Sequence, residues 1–184
     1  MHLVLVRHTK PVMGSDICYG NLDIVLASTF EADCAAVQAV VPSVDRIFSS
    51  PLQRCRVLAE RIANVAGKGF VCDPALQEMN FGSWQGCKWD DVSISQLDEW
   101  AADFEDARPH GGESISQLRL RLKELVVSLD ASSEERILMV THAGVIRVLI
   151  AMCTQRDERD IQVDYGEVIE LFLPTSKGLL NGIG

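Results

Sequence analysis

The chain has 184 residues, 47% hydrophobic and 23% charged, with a formal net charge of -9. That size and balance suit one soluble globular domain with a real core, and the acidic surplus argues against nucleic acid or an anionic membrane as the main partner. The six cysteines are dispersed without a Cys-x-x-Cys pair, which gives no sign of a zinc ribbon or a redox dithiol.

The elements follow in chain order. Leu3 to Val6 reads as a buried parallel strand that ends in Arg7-His8, with Lys10-Pro11 as its exit. The apolar stretch after Met1 is too short for a signal peptide, and no window approaches a membrane span, so the cytoplasm is the expected compartment. A helix is expected over 30–41 and a short strand over 46–50. A second helix over 51–66 follows, with Ser50 as N-cap and Pro51 at the first helical position. Residues 69–72 suggest another short strand. Between 74 and 112 the strand-helix rhythm lapses. This stretch holds Trp84, Trp89 and Trp100, and Leu97, Trp100 and Phe104 suggest one helix. It reads as an insertion covering one end of the sheet within a single domain spanning 1–184. Ile115, Leu118, Leu122, Leu125, Val126 and Leu129 mark a helix over 114–129. A buried strand over 137–140, a helix over 143–153 and a last strand over 168–173 complete an α/β pattern, with a loosely held tail after Pro174.

Several familiar sites are absent: no phosphate loop, no G-x-G-x-x-G after the first strand, no G-x-S-x-G elbow and no His-Glu-x-x-His. What stands out is a repetition. Thr141-His142-Ala143-Gly144 ends a buried strand and opens a helix, as Arg7-His8 ends the first strand. In open α/β sheets the carboxyl ends of strands are where ligands bind. Arg54 lies in the first turn of a helix, where the dipole mildly disfavours a cation. Arg7, His8, Arg54 and His142 together would form a cationic pocket suited to a compact dianion such as phosphate. Imidazole is a competent nucleophile at neutral pH, and Glu78 could serve as the acid. Taken singly, each residue also has an ordinary structural reading: a satisfied loop histidine, a solvated arginine, an exposed glutamate.

Taken in order, these residues resemble the histidine phosphatase superfamily, which includes phosphoglycerate mutases. Arg7-His8 matches its N-terminal motif, and Ser49-Ser50-Pro51-Leu52-Gln53-Arg54 its S-S-P-L-x-R segment. Leu76-Gln77-Glu78 with Phe81-Gly82-Ser83-Trp84-Gln85-Gly86 resembles the segment that carries the acid. Gly111-Gly112-Glu113-Ser114 and Thr141-His142-Ala143-Gly144-Val145-Ile146-Arg147 complete the series. The resemblance implies a three-layer α/β sandwich with a mostly parallel central sheet. It implies a phosphomonoester hydrolase that needs neither metal nor cofactor. His8 would take the phosphoryl group as a phosphohistidine, Glu78 would act as acid and then base, and Arg7, Arg54 and His142 would hold the transferring oxygens.

Thr9-Lys10-Pro11 departs from the commoner R-H-G-E. With Cys18-Tyr19-Gly20-Asn21-Leu22-Asp23 it resembles the alpha-ribazole phosphatase branch, whose members act on a nucleotide-like monophosphate in cobalamin synthesis, although Lys10 and Val25 depart from that branch too. The short insertion favours a phosphatase over a phosphoglycerate-type mutase. A broad sugar-phosphate or nucleotide phosphatase and a non-catalytic phosphate-binding protein are the other readings. Tyr19, Asn21 and Lys88 are candidates for the substrate pocket. His110 is expected in a loop, Arg147 in a structural ion pair on its helix, Arg56 in solvent, and Trp84 in packing that positions Glu78. The expected partner is a small phosphorylated substrate; the oligomeric state, a homodimer included, stays open.

Overall fold

The structure is a computed structural model that describes residues 1–129, 135–154 and 156–172. Its elements are β1 (His2–Arg7), α1 (Phe30–Val40), β2 (Arg46–Ser49), α2 (Gln53–Ala66), β3 (Val71–Cys72), α3 (Ile94–Ala102), α4 (Ile115–Ser128), β4 (Arg136–Thr141), α5 (Ala143–Thr154) and β5 (Val168–Phe172). The strands form one sheet in the order β3-β2-β4-β1-β5. The pairs β1–β4, β2–β4 and β2–β3 are parallel, and only β5 runs antiparallel, beside β1.

Both faces of this sheet are covered, which is why the interiors of β1 (Leu3 to Val6) and β4 (Ile137 to Val140) are apolar and do not alternate. Leu3, Leu5, Ile137 and Met139 point to the layer built from α4 and α5. Val4, Val6, Leu138 and Val140 point to α1 and α2. The fold is therefore a three-layer α/β sandwich. Among the described residues, no helix is long and apolar enough to cross a membrane.

Three local expectations need correction. The helix expected to begin at Pro51 begins at Gln53, with Leu52 at the cap position. The Ser50 hydroxyl is engaged by His142, and the Gln53 N–H instead donates to Asp23 Oδ1 (2.7 Å), a cap supplied from 30 residues upstream. The helix drawn through Phe104 ends at Ala102, and Phe104 packs on Trp100 from beyond it. The strand expected over 69–72 narrows to Val71–Cys72, an exposed edge pair. The helix over 114–129 agrees well: Ser114 caps α4, and Gln117 completes a reciprocal capping box. Leu173 and the tail after Pro174 lie outside the described residues.

Residues 74–112 contain α3 and three single 3-10 turns, at Pro74–Leu76, Gly82–Trp84 and Trp89–Asp91. Trp84 is buried at their centre, with Trp89 and Trp100 edge-on at 6.3 and 5.7 Å. Two backbones meet tightly here. Gly82 has φ +48°, and a Cβ on it would lie 2.1 Å from the His110 carbonyl oxygen.

Candidate active site

The register of the central strands builds the floor of the site. Arg7 lies opposite Thr141 in the parallel β1–β4 pair, so the next residues, His8 and His142, emerge side by side. The His8 N–H donates to Thr141 O (2.9 Å), and the two imidazole centroids are 5.2 Å apart. The end of β2 joins them through Ser50, whose N–H donates to Val140 O (2.9 Å). His8, Arg54 and His142 are each no more than 1% exposed.

The two histidines differ in which nitrogen is engaged. His8 Nδ1 lies 2.8 Å from Thr9 O. A carbonyl only accepts, so in the neutral ring Nδ1 carries the hydrogen and Nε2 keeps its lone pair. In His142 the closest contacts are at Nε2, 2.8 Å from Ser50 Oγ and 3.4 Å from Cys55 Sγ, with Nδ1 3.8 Å from the same sulfur. Burial, followed by the Arg54 and Arg7 cations, holds the His8 pKa well below that of free imidazole. Burial, Arg54 and His8 do the same to His142.

The two arginines approach from opposite sides. Arg7 donates from Nη1 to Val163 O (2.6 Å) and lies over the Tyr165 ring, 3.7 Å from its centroid. Arg54, in the first turn of α2, donates to Leu22 O (2.6 Å) and Gly20 O (2.7 Å). Each retains a buried Nε–H with no partner among the described residues. Glu78 is held by two backbone donors, Met79 N–H to Oε1 (2.9 Å) and Gly144 N–H to Oε2 (3.1 Å). Thr141 Oγ1 donates to Leu76 O (2.7 Å) and ties this segment to β4. A Cβ at residue 144 would lie 2.4 Å from Glu78 Oε1, so a side chain there would push the Glu78 carboxyl out of this position.

A cavity of about 570 Å³ opens above this floor. Arg7, Tyr19, Glu78, Arg147 and Tyr165 are part of its polar lining, together with Glu158 and Arg159, and Met79, Trp89, Trp100, Phe104 and Leu118 form much of its apolar wall. Of the candidates for the substrate pocket, Tyr19 lines this cavity. Asn21 instead borders a neighbouring hollow that also reaches Glu78, and its N–H donates to Gln85 Oε1 (3.0 Å). Lys88 pairs with Ile17 in an isolated bridge and does not line the cavity. His110 is a buried loop residue whose Nδ1 accepts from Gly112 N–H (2.9 Å), and Arg56 is exposed.

Arg147 needs correcting. It makes no salt bridge among the described residues; α5 turns it into the cavity, with Nε buried and unpartnered. Burial lowers its pKa, against the pull of Glu78. The Thr9-Lys10-Pro11 stretch also finds its place. Thr9 is buried, Lys10 is exposed, and Pro11 bridges Leu26. The flanking bonds there run from Val12 N–H to Val25 O and from Ala27 N–H to Lys10 O, so the proline ring owes no donor. Tyr165, Ser50 as a partner of His142, and Gly144 as the holder of Glu78 were not visible as site residues in the sequence.

The model of the histidine phosphatase superfamily (branch 1) matches residues 3–178. The chain belongs to that superfamily. It is an enzyme of phosphatase type, a phosphoric monoester hydrolase. Similar relatives include an adenosylcobalamin/alpha-ribazole phosphatase of Salmonella typhimurium, 31% identical over 111 residues that make up 58% of this chain and 55% of that one. The chain therefore matches only about half the length of that relative. A metal-independent phosphoserine phosphatase of Arabidopsis thaliana is 31% identical over 83% of this chain and 68% of that one. Among solved structures, a phosphoglycerate mutase from Thermus thermophilus superposes with a TM-score of 0.75 at 27% identity, covering 95% of each chain.

Proposed function

We propose that the chain hydrolyses phosphomonoesters through a phosphohistidine on His8, without a metal. The observation that carries this reading is the Nδ1 contact to Thr9 O in a buried ring flanked by two arginines. It leaves Nε2 unprotonated at neutral pH beside the charges that would attract a phosphoryl dianion. In the first step the Nε2 lone pair forms the P–N bond as the ester P–O bond breaks, and the leaving oxygen takes a proton from the Glu78 carboxyl. In the second, the Glu78 carboxylate takes a proton from water as that water attacks phosphorus. The P–N bond breaks, the electron pair returns to Nε2, and inorganic phosphate leaves. Arg7, Arg54 and His142 hold the non-bridging oxygens during both transfers. The positive charge of the two arginines serves best where burial excludes water.

For substrate, we favour a nucleotide-like monophosphate such as alpha-ribazole 5′-phosphate. The apolar, aromatic wall suits a leaving group that carries a flat apolar ring, and the similarity to the alpha-ribazole phosphatase supports it. One observation favours a second reading: Arg147, in the cavity with a buried Nε–H unpartnered and no salt bridge among the described residues, suits a leaving group with its own carboxylate, such as phosphoserine or a phosphoglycerate.

The test is a panel of alpha-ribazole 5′-phosphate, nucleotides, sugar phosphates, phosphoserine and phosphoglycerates, assayed with chelator present, with acid-quenched and base-quenched trapping of labelled enzyme. Alpha-ribazole 5′-phosphate is expected to give the highest kcat/KM, with base-stable, acid-labile label on His8. Label on another residue overturns the mechanism, and a carboxylated substrate at the head of the ranking transfers the substrate assignment to the second reading.

A further inference from the structure

The sequence contains two tyrosines, and the fold brings them together: Tyr19 Oη and Tyr165 Oη are 2.8 Å apart. Each ring carries one of the two arginines. The Arg7 guanidinium carbon sits 3.7 Å from the Tyr165 centroid, and that of Arg54 sits 5.2 Å from the Tyr19 centroid. The imidazole of His8 lies within this span, 5.6 Å from the Tyr165 ring and 6.4 Å from the Tyr19 ring. Arg7, Tyr165, Tyr19 and Arg54 thus form a continuous arch around His8.

Backbone contacts pin both feet of the arch. The N–H of Gly166 is shared between the carbonyls of Arg7 and His8, at 3.2 Å each, which fixes Tyr165 against the end of β1. Arg54 bonds the carbonyl of Gly20, the residue after Tyr19. Both tyrosines line the cavity, whereas His8 and Arg54 lie buried beyond the lining. A ligand in the cavity therefore meets the phenols on its way to His8.

The hydrogen count matters next. Two phenols bring two hydroxyl hydrogens, and their mutual bond uses one. The other is left for an acceptor. Meanwhile each guanidinium, held on its aromatic face and bonded to backbone carbonyls through Nη, keeps an Nε–H without a partner among the described residues that can turn to an anion.

We propose that Tyr19 and Tyr165 belong to the phosphoryl-binding site. A phenolic hydrogen of the pair donates to an oxygen of the transferring group, and the two ring faces set the positions of Arg7 and Arg54. The proposal rests on His8 as the phosphoryl acceptor. It makes Tyr165 a positioning residue for Arg7 and gives the pair a direct role in binding the dianion.

The experiment compares the unaltered enzyme with Tyr165→Leu, Tyr165→Phe and Tyr19→Phe, using inorganic phosphate as a competitive probe and p-nitrophenyl phosphate as substrate. Loss of the ring face in Tyr165→Leu should raise the phosphate inhibition constant about 3- to 30-fold, the span expected for one cation–π contact, with KM rising more than kcat falls. Tyr165→Phe keeps the ring and should recover most of that loss. With ring-labelled tyrosine, the enzyme should show signals from two residues, assigned through Tyr19→Phe, and phosphate should shift both. Unchanged phosphate inhibition in Tyr165→Leu overturns the proposal, as does a Tyr165→Phe variant no better than Tyr165→Leu. If Tyr165→Leu lowers the melting temperature, the labelled signals of the unaltered enzyme decide, and rings unmoved at saturating phosphate sink the idea. An unaltered enzyme that neither hydrolyses p-nitrophenyl phosphate nor binds phosphate would overturn the functional reading beneath it instead.

Discussion

The floor of the site and its wall are built by different means. The floor, at the ends of β1, β2 and β4, is fixed by sheet register: His8, Ser50 and His142 sit where parallel pairing puts them, and His8 and His142 are almost fully buried. The wall, residues 79–112, has one short helix, two single turns and a small aromatic cluster. A register cannot drift by a fraction of a residue, whereas packed aromatic rings can be exchanged and re-angled. The contrast suggests a division of labour in which the floor sets the chemistry and the wall selects the leaving group.

Substitutions can break or sharpen that division. The largest effect is expected on the floor. His8→Ala, or the closer-sized His8→Asn, should lower kcat for p-nitrophenyl phosphate by at least about 10⁴-fold while the melting temperature stays near that of the parent. Full activity in either variant removes His8 as the nucleophile. Next comes Glu78→Gln, expected to cost about 10²- to 10⁴-fold with alkyl phosphates, which need a protonated leaving oxygen. With p-nitrophenyl phosphate the loss should be much smaller, and equal losses for both substrates would argue against an acid role.

The wall should answer differently. Trp100→Ala should cost up to about 10-fold in kcat/KM for a ring-bearing substrate, the scale of one aromatic contact, and leave small alkyl phosphates little changed. A uniform loss across substrates would erase the distinction between the two regions.

The smallest effect concerns acid. Burial keeps both floor imidazoles neutral, so their folded pKa values lie below the unfolded value of about 6.5. Between those limits the unfolded chain binds more protons. The stabilising contribution is thus complete above about pH 6.5 and is lost as pH falls below it, by up to about 1.4 kcal/mol per pH unit for each histidine. Denaturant unfolding measured from pH 7 to pH 5 should show this slope, and His142→Gln should reduce it. An unaltered slope would mean that His142 binds its proton equally in both states.

The same contrast explains what could be read from the sequence. The floor was legible because its parts are short and local: an apolar run that stops at Arg7-His8, another that stops at Thr141-His142, and Arg54 at a helix start. Parallel pairing of β1 and β4 does the rest. Residues whose role depends on distant partners were not legible. Ser50 has the look of an N-cap, and only the fold shows that His142 takes its hydroxyl while Asp23 caps α2. Tyr165 is separated from Tyr19 by 146 positions, and no periodicity links them. Arg147 looks like any helix arginine until the facing of α5 is known. The wall resists for a further reason: short turns carry little hydrophobic period, and the spacing of Leu97, Trp100 and Phe104 runs past the end of α3 at Ala102.

The Asp23 cap has a consequence for anyone who would re-engineer this enzyme. The loop carrying Tyr19 supplies the first bond of α2, and α2 in return grips that loop through Arg54 at Gly20 and Leu22. Loop and helix start behave as one interlocking part. A loop transplanted from a relative will seat only if it arrives with an acceptor at position 23 and free carbonyls at 20 and 22, so chimaeras should exchange residues 19–23 and 53–54 together.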